Sequence, residues 1–123
     1  MGVKLIKISA IYFLIGVLLG YYMSVASNYN LTGVHVHINL LGWTALTLAG
    51  IIYCLFPQAS RTKLAKWHFW LHNIGLPIMM ISLALLLTTG GSHYVAGVSV
   101  GATITVLGII LFVINVFQKV NEN

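Results

Sequence analysis

Four long apolar runs, separated by short polar breaks, make up most of the chain. They cover residues 5–27, 34–56, 67–89 and 93–117. A helix needs about 20 apolar residues to cross a hydrocarbon core about 30 Å thick, and each run meets that length. The pattern therefore predicts an all-α fold, an integral membrane four-helix up-and-down bundle. Residues 1–123 are expected to form a single transmembrane domain.

Helix-breaking residues mark the breaks. Pro57 follows the second run, and Gly90, Gly91 and Ser92 separate the third run from the fourth. Pro77 lies inside the third run, where it is expected to kink the helix and free a backbone carbonyl.

Small residues recur on the first and fourth runs. They are Gly16, Gly20, Gly97, Gly101 and Gly108. Glycines at such spacings let membrane helices approach closely. We expect these faces to contact other helices, in the same chain or in a second protomer.

Composition supports membrane insertion. The chain is 59% hydrophobic and 6% charged, whereas a soluble domain has roughly 25% charged residues. Too few charges are present to cover a soluble surface. The single cysteine, Cys54, excludes an internal disulfide and a Cys-x-x-Cys-His haem attachment site.

The basic residues flank the apolar runs, at Lys4, Lys7, Arg61, Lys63, Lys66 and Lys119. The net charge of +5 is therefore an orientation signal and does not indicate a nucleic-acid partner. The positive-inside rule places both termini in the cytoplasm. The predicted location is a bacterial-type inner (plasma) membrane, crossed several times, with membrane lipid as the immediate partner.

The second run begins with His35, His37 and Asn39. An ionisable residue inside a membrane segment is a functional-site hypothesis by default, because hydrocarbon penalises an unpartnered polar group. At about 100° per residue, the imidazoles of His35 and His37 lie about 200° apart on a regular helix. They cannot hold one metal ion together. Asn39 lies on the His35 side, where it is placed to orient that imidazole or a bound group.

The other three histidines divide by depth. His93 opens the fourth run at the same end as His35 and His37, whereas His68 and His72 lie near the opposite end. A rise of about 1.5 Å per residue puts His72 roughly 25 Å or more from the first group. His68 and His72 share a helix face, which suits a shared metal, or one ligand with a hydrogen-bonding neighbour. His68 between two tryptophans is also typical of an interfacial belt, and Tyr53 has the character of an interfacial anchor.

Haem and copper are the two cofactors considered. Haem needs one or two axial imidazoles and an apolar slot, and His37 (or His35) with His93 is the favoured axial pair. His72 is the candidate for a second haem, with a ligand from another protomer. A copper or zinc site needs three or four ligands, and Glu122 is the one acidic residue, so such a site would be nearly all histidine. The expected cofactor is haem b, one or two per chain, with copper as the alternative.

Three stretches carry a family resemblance. They are His35-Val36-His37-Ile38-Asn39-Leu40-Leu41-Gly42-Trp43, Ile51-Ile52-Tyr53-Cys54-Leu55-Phe56-Pro57 and His68-Phe69-Trp70-Leu71-His72-Asn73-Ile74-Gly75. The sequence resembles the haem-copper oxidase superfamily, in particular the catalytic subunit of cbb3-type oxidases and nitric oxide reductases and the short stand-alone proteins named after them. The resemblance implies that His35 and His37 ligate haem or metal at two centres on opposite sides of one helix. The family's His-His pair and buried carboxylate are not found in this chain, so we expect a redox or haem-binding protein rather than a complete oxidase or reductase.

Three functions follow from these observations. The first is a membrane-embedded b-type haem protein, a homodimer with a redox partner, that transfers electrons or binds NO or O2. The second is a copper-handling protein for oxidase assembly, in which His68 joins the other histidines. The third is a non-catalytic subunit of a respiratory complex. The sequence leaves open whether the chain is an enzyme.

Overall fold

Four long helices joined by short loops form the bundle. The structure is a computed structural model and describes residues 1–122. The helices are α1 (Gly2–Ala26), α2 (Thr32–Leu55), α3 (Lys63–Thr89) and α4 (Tyr94–Lys119). No strand occurs within these described residues. All four helices are long and apolar enough to cross a membrane, so the predicted all-α up-and-down membrane bundle is confirmed.

Local hydrogen bonds set the ends of α3. It begins at Lys63 rather than at residue 67, because the Thr62 Oγ1 atom accepts the Ala65 amide at 3.0 Å and caps the helix. The helix continues through Pro77. It ends at Gly90, whose φ of 71° is a left-handed conformation that favours glycine.

The middle of α2 is wider than a regular α-helix. Residues Ile38–Thr44 form a π-helical segment. At its end the Ala45 amide donates to the Leu40 carbonyl, whereas an α-helix would direct that amide to Leu41. The Leu41 carbonyl therefore lacks its usual helical partner and can accept a hydrogen bond from another helix.

The glycine faces pack inside the chain. Gly16 on α1 lies against the side chain of Asn39, and a Cβ at Gly20 would come within 2.8 Å of the His35 ring. Gly101 on α4 lies directly against the α3 backbone at Met79. The expectation that these faces pack closely is confirmed for contacts within the protomer, and they therefore provide no argument for a dimer.

The loop between α2 and α3 is fixed by α4. The Asn115 side chain is fully buried, donates to the Ala59 carbonyl at 2.8 Å and accepts from the Thr62 hydroxyl at 2.8 Å. This loop, both chain ends and all six lysine and arginine residues lie at one end of the bundle, here called the basic face. The opposite end, with the loops at residues 27–31 and 90–93, is called the neutral face.

Candidate functional site

His35 faces α1. Its Nδ1 atom donates to the Gly16 carbonyl at 2.8 Å, and its ring fits over Gly20 because that residue has no side chain. The Asn39 amide lies 3.4 and 3.5 Å from the two ring nitrogens, which is long for a hydrogen bond. His35 is therefore oriented mainly by α1, and its Nε2 atom makes only this long contact.

His37 points away from the bundle. Its side chain is exposed, and its Nδ1 atom donates to the Gly33 carbonyl of the preceding turn at 2.7 Å. In a neutral ring this hydrogen bond leaves a lone pair on Nε2. A histidine that donates Nδ1–H to a backbone carbonyl has a fixed tautomer and orientation, as metal-ligating histidines commonly do. As the angular spacing predicts, His35 and His37 lie on different sides of α2.

His93 stands apart from these two residues. It precedes the first residue of α4, is exposed, and its ring lies 4.1 Å from the ring of Tyr94 between centroids. No hydrogen bond or ring contact joins it to His35 or His37 within residues 1–122. The structure therefore places His93 at the same end as His37 without joining them in one site.

A buried chain of polar groups connects α2 and α3. The Tyr53 hydroxyl lies 2.9 Å from His68 Nδ1, and His68 Nε2 lies 3.2 Å from His72 Nδ1. His72 Nε2 lies 3.0 Å from the Leu41 carbonyl, which has lost its usual helical partner in the π-helical segment. We call these four groups the tyrosine–histidine chain. Because Leu41 is only about one helical turn from His37, the expected separation of roughly 25 Å or more between His72 and His37 is wrong.

The hydrogen atoms in this chain have one consistent direction. A carbonyl can only accept, so His72 Nε2 carries a hydrogen and its Nδ1 accepts when the ring is neutral. His68 must then donate through Nε2 and accept at Nδ1 from the Tyr53 hydroxyl. Neutral rings are favoured because no carboxylate is available in the helices, and burying an unpaired charge is costly.

Two expectations for this region are wrong. The interfacial-anchor role predicted for Tyr53, and the aromatic-belt alternative for His68, need side chains that reach the headgroups, yet His68 and Tyr53 are 1% and 2% exposed. Apolar and aromatic neighbours, among them Phe112 on α4, enclose both side chains. The positions of Tyr53 near the end of α2 and His68 near the start of α3, on either side of one short loop, were the available signal for their contact.

The hydrogen bonds of His68 and His72 affect their predicted roles as metal or haem ligands. Both ring nitrogens of His72 are engaged, so ligation of iron by His72 would require one hydrogen bond to break. That role stays a prediction, as does metal binding by His68. No group of three or more His, Cys, Asp or Glu side chains in residues 1–122 is arranged to hold a metal ion. A copper cage within one protomer therefore gains no support.

One groove of the bundle is apolar. It has a volume of about 430 Å³ and lies between α1 and α3, with Ile38 of α2 among its lining residues. Its other lining residues are Ile8, Ile11, Tyr12, Ile15, Pro77, Met80 and Ile81. No histidine lines this groove, so it is not an axial-ligand pocket.

Comparison with known proteins gives partial similarity to one group. The chain is 34% identical over 64 residues to a cytochrome c oxidase subunit 1 homolog of Azorhizobium caulinodans, covering 46% of this chain and 12% of that protein. It is 34% identical over 55 residues to the bacteroid homolog of Bradyrhizobium diazoefficiens, covering 40% and 10%. It is 40% identical over 48 residues to cytochrome c oxidase subunit 1 of Rhodobacter capsulatus, covering 34% and 9%.

These matches cover only part of the chain and a small part of each relative. The chain spans about a tenth of the length of the curated relatives it matches. No family model matches the chain, and no solved structure matches it. With four helices able to cross a membrane, the chain is a multi-pass membrane protein partly similar to cytochrome c oxidase subunit 1 homologues.

Proposed function

We propose that the chain is a membrane-embedded b-type haem protein that transfers electrons or binds a small gas, NO or O2. The observation that carries the proposal is the geometry of His37. Its Nδ1–H is held by the Gly33 carbonyl at 2.7 Å and its Nε2 lone pair is directed out of the bundle. The partial similarity to oxidase subunit 1 homologues supports haem over other ligands of imidazole.

Within one protomer, His37 is suited to be one axial ligand of a haem, but no other part of the protomer would cover the macrocycle at that position. His37 offers a free Nε2 atom, with His35 as the alternative to His37, and His93 is the candidate for the other axial position. Because His37 is exposed, the macrocycle would lie on the outside of α2 and be covered by another chain. A second copy is the simplest covering chain, so the proposal includes a homodimer. When bound, haem supplies a one-electron iron couple and, with one axial position open, a gas-binding site.

An absorption spectrum of the detergent-purified protein, oxidised and then reduced with dithionite, tests the proposal. We expect a Soret band and sharp reduced bands of a six-coordinate b haem, with haem counted by pyridine extraction. His37→Ala is expected to abolish the haem spectrum, and His93→Ala to give a five-coordinate form that binds carbon monoxide. Unchanged haem content in both His35→Ala and His37→Ala contradicts the proposal.

The number of haems is tested in the same preparations. His72→Ala is the informative variant, because the His72 ring is buried between helices, whereas His37 is exposed on the outside of α2. A fall from two haems to one in this variant assigns the second haem to His72. An unchanged ratio leaves one haem, held at His37.

A non-catalytic subunit of a respiratory complex is the second candidate. The tyrosine–histidine chain favours it, because all four ring nitrogens of His68 and His72 have hydrogen-bond partners within the chain. Such side chains join membrane helices without a cofactor. Co-purification with large redox subunits, together with a colourless isolated chain, would favour this function. Stoichiometric copper in haem-free preparations would instead support copper handling.

A further inference from the structure

Two adjoining pockets open at the basic face. The first has a volume of about 240 Å³ and is lined by Met1, Lys4, Lys66, Phe69 and Trp70. The second has a volume of about 180 Å³ and is lined by Lys66, Trp67 and Trp70. They share Lys66 and Trp70 and therefore border the same side chains; the two together are here called the Lys4–Lys66 pocket.

The lysines of this pocket come from different helices, and none of the pocket's lining residues is acidic. Lys4 lies on α1 and Lys66 on α3, so the fold brings two lysines that are distant in sequence to the same pocket. The only acidic side chain in the sequence is Glu122, in the C-terminal tail. The four helices contain no carboxylate side chain, so no helix residue can neutralise Lys4 or Lys66.

The walls of the pocket suit the boundary between headgroups and acyl chains. Trp67 and Trp70 are 59% and 60% exposed, and tryptophan concentrates at the membrane–water interface. Lysine places its apolar stem along such a surface and its ammonium group toward the headgroups. The depression therefore offers cations at its rim and aromatic rings on its sides.

We propose that the Lys4–Lys66 pocket binds the headgroup of an anionic phospholipid. The phosphate lies between the two ammonium groups, and an acyl chain packs against Trp70 and Phe69. Basic pockets between transmembrane helices are known to bind anionic lipid headgroups by this combination of charge and apolar contact. The site is independent of the proposed haem.

A pocket at the neutral face differs from the Lys4–Lys66 pocket in its lining residues. It has a volume of about 180 Å³ and is lined by Tyr22, Asn28, Asn30, Leu31 and Thr88. These residues include no cation, so this pocket has no charge preference for an anionic lipid. Headgroup selectivity is therefore a property of one face of the bundle.

Native mass spectrometry of the full chain in detergent, titrated with phosphatidylglycerol or phosphatidylcholine, tests the site. The test variant is K4Q/K66Q, and K7Q/K63Q is the matched control because it changes the same two helices and removes the same charge. All four lysines are exposed, so neither pair disturbs the interior. Each lysine near a membrane surface adds about fivefold to the binding of anionic lipid.

The expected result is preferential binding of phosphatidylglycerol by the wild-type chain, reduced about 25-fold in K4Q/K66Q. The reduction in K7Q/K63Q is expected to be clearly smaller, because those lysines do not line the pocket and the attraction of a charge falls off with distance. Equal losses in the two pairs would overturn the pocket and leave only general attraction to the basic face. Displacement of the lipid by millimolar inorganic phosphate would overturn the lipid assignment in favour of a free anion. Equal affinity of the wild-type chain for the two lipids would overturn the proposal outright.

Discussion

At the scale of single residues, the interior of the bundle combines apolar packing with complete hydrogen bonding. Every buried side-chain nitrogen and oxygen within residues 1–122 has a partner. Hydrocarbon offers no water to satisfy such atoms, so each buried polar side chain must be matched by the fold itself. His68, His72 and Asn115 meet this requirement through contacts between helices.

The losses of unfolding free energy from replacing the two histidines of the tyrosine–histidine chain should not add. His68→Leu and His72→Leu each leave a buried polar partner unsatisfied, which costs about 1–3 kcal/mol. In the double variant their mutual hydrogen bond is lost only once. We expect the double loss to be smaller than the sum of the single losses by about 0.5–3 kcal/mol, measured by unfolding in mixed micelles.

The control for that cycle pairs His68→Leu with His93→Ala. His93 is exposed at the neutral face and shares no contact with His68, so these losses should add within about 0.5 kcal/mol. Additive losses for His68 and His72 would contradict the hydrogen bond between their rings.

Gly16 should be much less tolerant of a side chain than Gly33. In Gly16→Ala the new Cβ would lie 2.9 Å from Asn39 Cγ, whereas in Gly33→Ala the nearest atom is a Leu83 methyl group at 3.8 Å. Overpacking of this kind costs about 1–3 kcal/mol, and Gly33→Ala creates no such close contact. We expect Gly16→Ala to be the less stable by that amount in the same unfolding assay, and equal stabilities would show that Asn39 moves freely.

The sequence predicted the sides of α2 on which the first two histidines lie, because rotation per residue is enough to separate His35 from His37. It did not predict that His68 and Tyr53 are buried. Aromatic residues beside lysines give the same sequence pattern whether they lie at a membrane interface or inside the end of a helix bundle, so the sequence cannot distinguish the two. Only the packing of α4, through Phe112, encloses them.

At the scale of the helices, the π-helical segment of α2 links backbone geometry to a side chain on α3. Its wider turn leaves the Leu41 carbonyl to His72 Nε2 at 3.0 Å. Segments of this kind are rare and often occur at functional sites. The segment follows directly after His37, at Ile38–Thr44.

Deletion of Leu40 tests whether the fold needs this segment. The deletion lets α2 adopt a regular α-helix, but it also shifts one part of α2 relative to the other. Either His72 then loses the Leu41 carbonyl as its acceptor, or His35 loses its position against α1. We expect a loss of about 1–3 kcal/mol in unfolding experiments. Leu40→Ala is the control, because Leu40 is 57% exposed and the substitution leaves the register intact. A deletion as stable as Leu40→Ala would show that α2 does not depend on the π turn.

Hydropathy predicted the existence of the four helices but could not predict the π segment or the start of α3. A hydropathy pattern shows which residues avoid water. It does not show which backbone carbonyl accepts the hydrogen bond of a given amide. The start at Lys63 depends on the Thr62 cap, a local hydrogen bond that extends the helix beyond its apolar run.

At the scale of the whole molecule, the even number of long helices in residues 1–122 places both chain ends on one face. Which side of the membrane that face occupies stays a prediction from the basic residues. We expect a green fluorescent protein fused after residue 123 to fluoresce, because it folds in the cytoplasm. Alkaline phosphatase inserted at residues 27–31 should be active, and the opposite pair of results would invert the assigned topology.

The tyrosine–histidine chain ends at a group that has no proton to give. A carbonyl accepts hydrogen bonds and never donates them, so the order Tyr53, His68, His72, Leu41 cannot be reversed while both rings stay neutral. A proton delivered at Tyr53 would find no exit at Leu41. Proton transfer along these four groups is therefore blocked at Leu41, and the network instead locks the tautomers of two histidines and holds α2 to α3.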